Sequence, residues 1–99
     1  MKKIKSVQNA LEELIPLLDR ECARDWMEYF SRILNESRNL NADQELKDWA
    51  RQITNVYRGM ASFSDLVIVE GWTPLKIENN KLDELRTKLL VEAMKLIEA

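Results

Sequence analysis

The sequence predicts an all-α fold, a small antiparallel bundle of about four helices with one irregular segment at about residues 61–79 before the last helix. Two observations predict it. Apolar residues recur at spacings of three and four in four separate stretches, the mark of one buried helical face in each. Both glycines of the chain, Gly59 and Gly71, fall in a single stretch, "YRGMASFSDLVIVEGW", so the helical stretches contain no glycine to break them. Ninety-nine residues make one domain, 1–99, and 45% hydrophobic with 32% charged residues is the composition of a globular chain.

The first stripe is Ile4, Val7, Leu11, Leu14 and Ile15, and Leu18 continues it in phase. Pro16 interrupts this stretch, and the unchanged phase favours a kinked helix over one ending near Ile15. Residues 24–38 form the second helix, with Trp26, Phe30, Ile33 and Leu34 inward and Tyr29 beside them. "NESRNLNAD" then breaks the pattern, and Asn41 is the expected N-cap of the third helix, with Glu45 in its first turn. Leu46, Trp49, Ile53, Val56, Tyr57 and Met60 carry that helix, and Gly59 is the expected left-handed C-terminal cap. Gly71, Pro74 and Asn79-Asn80 mark a loop. Asn80 is the expected cap of a final helix, 81–97, with the stripe Leu82, Leu85, Leu89, Leu90, Ala93, Met94 and Ile97.

Composition excludes several kinds of chemistry. There is no histidine, which removes Ser-His and Cys-His nucleophile systems and the commonest transition-metal ligand. The single cysteine, Cys22, cannot form an intrachain disulfide or a structural zinc site, and reads as an inert, partly buried thiol. No glycine-rich phosphate loop is present. The denser carboxylates, Glu12-Glu13, Asp43/Glu45/Asp48 and Asp83-Glu84, lie beside Lys or Arg, as solvated helix surface does. No enzyme activity, cofactor or metal is expected. A net charge of -2 argues against nucleic acid as a direct partner. No apolar run is long enough for a membrane span, and the basic start lacks the apolar stretch of a signal peptide, so a cytoplasmic protein is expected.

The irregular stretch holds the candidate site. In its sequence context Ser62 and Asp65 stand as a weak relative of the capping box, Met60 and Phe63 suit plugs at the bundle end, and Leu66, Val67 and Ile68 suit the core, as a strand or as a helical turn. Residues 61–80 hold Asp65, Glu70 and Glu78 against one lysine, Lys76, so the acidic excess gathers here. Trp26 and Trp49 fall on apolar stripes, whereas Trp72, in "VEGWTPL", does not. It is either a lid folded back over the bundle or an exposed anchor for a partner. Asp65, Glu70, Trp72 and Glu78 are therefore the candidate partner-binding residues.

The string "YRGMASFSDLVI" resembles the signature of a family of small, uncharacterised bacterial helical proteins whose shared core reads approximately Gly-Gly-Met-Gly-Ser-Phe-Asn-Asp-Leu-Val. The chain keeps Gly59, Met60, Ser62, Phe63, Asp65, Leu66 and Val67, and departs at Arg58, Ala61 and Ser64. The resemblance implies an immunity- or antitoxin-like protein whose partner is a cognate toxin domain. A helical self-association or scaffold module is the alternative, with near-heptad spacing in Ile4-Val7-Leu11-Leu14 and Leu82-Leu85-Leu89; a monomer is favoured, because the same stripes serve its core. An enzyme using Asp65 with Arg58 is a third and weaker reading.

Overall fold

The computed structural model describes residues 2–20, 23–58 and 62–98; Cys22, Gly59 and Met60 lie outside them. The described chain forms α1 (Lys2–Arg20), α2 (Arg24–Glu36), α3 (Asp43–Asn55) and α4 (Lys76–Glu98). Short 3-10 turns occupy Ser37–Asn39 and Phe63–Asp65, and an antiparallel hairpin of β1 (Val69–Glu70) and β2 (Thr73–Pro74) leads into α4. The all-α bundle is therefore the fold. Its long α4 packs along both α1 and α3, while α2 packs mainly on α1, in a body measuring 45 × 22 × 19 Å. None of the described helices is long and apolar enough to cross a membrane.

The stripes meet in one core. Val7, Leu11, Leu14 and Leu18 of α1 are fully buried, as are Phe30 and Ile33 of α2, Ile53 of α3 and Leu82 and Leu89 of α4. Trp49 is buried with them, and its indole N–H donates to the Ile33 carbonyl at 2.7 Å, which satisfies the one polar atom it carries inside. Trp26 is only partly buried, on the rim of this core. In α4 the buried set is Leu82, Leu85, Leu89, Ala93 and Leu96, whereas Met94 is 45% exposed. The predicted stripe drifted one residue too far at its C-terminal end. A helix held between two neighbours keeps its inward face in line with both, and Leu96 rather than Ile97 stays on it.

Three helix ends differ from expectation. The N-cap of α3 is Ala42 in extended conformation, not Asn41; the Asn41 N–H instead donates to the Glu45 carboxylate at 3.2 Å. The C-cap of α3 is Val56, earlier than the apolar stripe predicts, and the expected cap Gly59 lies outside the described residues. α4 begins at Lys76, and Asn80 lies inside it rather than at its cap. Pro74 stands two residues ahead, and the first helical bond runs from the Asn79 N–H to the Leu75 carbonyl at 2.9 Å. The segment after the second 3-10 turn is extended, not helical, and within it Val67 is exposed rather than core.

α1 runs through Pro16 to Arg20. The proline ring is on the exposed side of the helix, and burial of Leu17 and Leu18 holds the turn beyond it. Its missing N–H leaves the Glu12 carbonyl without its helical partner. Replacing an exposed helix-interior proline restores that bond and removes no packing. Pro16→Ala is expected to stabilise the protein by roughly 1–2 kcal/mol, less than the full proline penalty because the unfolded chain also gains freedom. Thermal denaturation checks this, and an unchanged or lower midpoint would contradict it.

Candidate functional site

Phe63 is the residue around which the irregular segment is built. Its side chain is fully buried, with ring centroids 4.8 Å from Phe30, 5.1 Å from Trp26 and 5.5 Å from Tyr57. These separations are those of favourable aromatic pairs. The Phe63 N–H donates to the Val56 carbonyl at 2.8 Å, which ties the segment to the end of α3. The expected side-chain cap by Ser62 and Asp65 is absent. The Ser62 and Ser64 hydroxyls both approach the Tyr57 carbonyl, at 3.5 and 2.8 Å, and the turn closes through the Asp65 N–H on the Ser62 carbonyl at 3.0 Å. Serine hydroxyls here compete for a carbonyl left over at a helix end, which is their usual alternative to capping.

Arg86 of α4 secures the same segment from below. Its side chain is only 12% exposed. One guanidinium nitrogen donates to the carbonyls of Phe63, Ser64 and Leu66 at 2.8, 3.2 and 2.9 Å, and the other meets the Asp83 carboxylate. The guanidinium also lies over the Phe63 ring at 5.7 Å. The Tyr57 hydroxyl donates to the Arg86 main-chain carbonyl at 2.8 Å. Burial pushes the Tyr57 phenol well above its ordinary value of 10.0, outweighing the opposing charge of Arg86.

Asn79 fixes the next part. Its amide oxygen accepts the Ile68 N–H at 2.7 Å, and its amide nitrogen donates to the Ile68 and Leu75 carbonyls, both at 2.8 Å. This one side chain joins the base of the hairpin to the first turn of α4. At the other end Gly71 and Trp72 form a two-residue turn, and Gly71 has φ +64° with open space where a Cβ would stand. The conformation, not crowding, requires glycine there. Trp72, next to it, is 100% exposed. It is not a lid.

The other predicted site residues share this end of the chain only in part. Asp65 is exposed on the 3-10 turn and Glu70 is exposed on β1, one residue from the turn that carries Trp72. Glu78 is half-buried in the first turn of α4. Arg58 and Asp65 are both exposed and form no ion pair. The described residues contain no group of three or more Cys, Asp or Glu placed to hold a metal ion. A shallow groove of about 380 Å³ runs between Tyr57 and Arg58 on one side and Leu90, Met94 and Ile97 on the other. Comparison with family models, with curated proteins and with solved structures finds no match.

Arg86 and Asn79 escaped sequence reasoning. Arg86 follows Leu82 by four residues and precedes Leu89 by three, so it lies at the margin of the apolar stripe, where a long basic side chain turns its stem inward. That spacing is the signal for it. Asn79 has no comparable signal, because an Asn before a helix reads equally as a cap.

Two outcomes are expected here. Arg86→Met keeps the apolar stem and removes the donors from three carbonyls. It should cost about 2–3 kcal/mol and speed hydrogen exchange at the Asp65 and Leu66 amides; unchanged exchange there would contradict the role of Arg86. The second concerns pH. The Tyr57 phenol is raised in the folded state, so its stabilising contribution is complete below pH 10.0 and declines as pH rises beyond that value. Denaturant unfolding should therefore show stability falling above about pH 10 more steeply in the native protein than in Tyr57→Phe, which loses the ionisable group; equal slopes would contradict this.

Proposed function

We propose that the chain is a non-enzymatic protein-binding module, an immunity-type inhibitor that binds and neutralises a bacterial toxin in the cytoplasm through its hairpin. The observation that carries this reading is Trp72, fully exposed on a turn whose base is fixed by Asn79. A large aromatic held out on a braced hairpin loses little conformational freedom on binding and offers a large area to a pocket. Glu70 next to the turn, and Asp65 at the far end of the extended run that leads to it, suit a basic partner surface, such as a cleft that handles nucleic acid or another polyanion. The resemblance of the motif to immunity-like proteins points the same way, as does a composition without histidine. The self-association alternative has less support, because Val7, Leu11, Leu14, Leu82, Leu85 and Leu89 are buried within a single chain.

Co-expression with the toxin encoded next to this chain is expected to protect the host, and the purified pair is expected to associate. Trp72→Ala should weaken that association by about 2 kcal/mol, roughly thirtyfold, with an unchanged thermal midpoint. Glu70→Lys should mainly slow association and flatten its dependence on salt. Absence of both protection and binding would refute the reading. A Trp72→Ala variant that binds as tightly as the native protein would remove the hairpin as its contact surface.

A further inference from the structure

The two edges of the hairpin are not alike. Leu75 donates its N–H to the Ile68 carbonyl at 3.0 Å, so Ile68 and Leu75 are a hydrogen-bonded pair. The alternation of an antiparallel ladder makes the adjacent pair, Val69 and Pro74, a non-hydrogen-bonded one, with main-chain groups directed away from each other. On the outer side of β2 stands Pro74, which has no N–H to offer, so that edge is closed to a further strand. On the outer side stand Val69 of β1 and Val67, two residues earlier in the extended run that leads into it. Each has both an N–H and a carbonyl, and among the described residues no hydrogen bond reaches either. Their side chains are 55% and 51% exposed.

The inner groups of the same segment are all engaged. The Leu66 carbonyl accepts from Arg86, and the Ile68 N–H and carbonyl are bonded to Asn79. The segment is thus held extended from one side while its other side stays open. From Ser62 to Leu75 the only charged residues are Asp65 and Glu70, both exposed acids at the two ends of this open edge. We infer that the Val67–Val69 edge, formed by the start of β1 and the extended run before it, accepts an extended, basic segment of a partner protein as an added strand. Main-chain bonds to Val67 and Val69 give the register, and basic side chains meet Asp65 and Glu70. A second copy of the chain fits the edge poorly, since pairing two such edges sets four carboxylates along one short ribbon. The inference rests on the reading of the hairpin as the contact surface, and not on a toxin being the partner.

The test uses the whole protein and a blocked peptide of alternating Lys and Val, present at millimolar concentration and followed by amide hydrogen exchange in NMR. In the free protein the Val67 and Val69 amides should exchange fast while that of Ile68 is protected. Peptide should slow Val67 and Val69 by at least roughly tenfold. N-methylation of alternate peptide amides should abolish this in one set, whose N–H groups face the strand, and spare the other. An otherwise identical Glu and Val peptide should give no protection. Absence of protection, or equal protection by the acidic peptide, overturns the inference. Protection that rises with protein concentration alone, without peptide, overturns it in favour of self-pairing. Because no toxin enters the assay, failure to bind one leaves this result standing, and a toxin that binds through Trp72 does not rescue a failed edge.

Discussion

The irregular segment of this protein depends on one largely buried cation. Arg86 brings a guanidinium to the carbonyls of Phe63, Ser64 and Leu66, which belong to a segment with little ladder or helix of its own. Main-chain carbonyls turned toward a protein interior must find donors. A guanidinium supplies several from one rigid plane, and its charge is matched by Asp83 and by the face of Phe63. With that segment held, Phe63 remains among Phe30, Trp26 and Tyr57, and the chain emerges extended toward the hairpin. The exposed ion pairs elsewhere, such as Arg24 with Glu28 along α2, contribute much less, because both side chains are well solvated.

Braced and unbraced elements alternate along residues 62–79. Phe63 is locked by packing, Leu66 by Arg86 and Ile68 by Asn79, while Asp65, Val67, Val69 and Trp72 face outward between them. This is the alternation of an extended chain with one side used up by its own protein. A tryptophan on a loose loop would lose much of its binding energy to ordering. Here Asn79 sets the base of the hairpin and Gly71 sets its turn, so the indole is presented from a defined support.

The helical part was legible because burial and periodicity coincide. Val7, Leu11, Phe30, Ile53 and Leu89 announce their faces by spacing alone. Trp49 was legible for the same reason. The irregular part was legible as an interruption, through two glycines and a proline, but its internal contacts were not. Ser62 and Asp65 look like a cap in one dimension, yet the Ser62 hydroxyl turns to the Tyr57 carbonyl instead. Val67 sits in an apolar run, and only the extended conformation, which sends alternate residues outward, shows why it is exposed. The start of α4 was misplaced because Asn79 and Asn80 resemble a helix cap, whereas the Asn79 amide is committed to Ile68. The exposure of Trp72 was legible only as one of two alternatives, lid or anchor. An apolar side chain beside a turn folds inward or outward according to what lies beneath it, and that is a property of the assembled bundle.

The position of α4 has a consequence for how the chain comes into being. Its leucines complete the cores of both α1 and α3, and α1 is separated from it by most of the sequence. During synthesis α1 leaves the ribosome with its apolar stripe uncovered on the side that α4 will occupy. At roughly 5–20 residues per second, that exposure lasts for seconds before the closing helix is available. The nascent protein therefore passes through an interval in which α1 and α2 can pair but the bundle cannot shut, and in that interval its stripe is open to chaperones and to neighbouring chains.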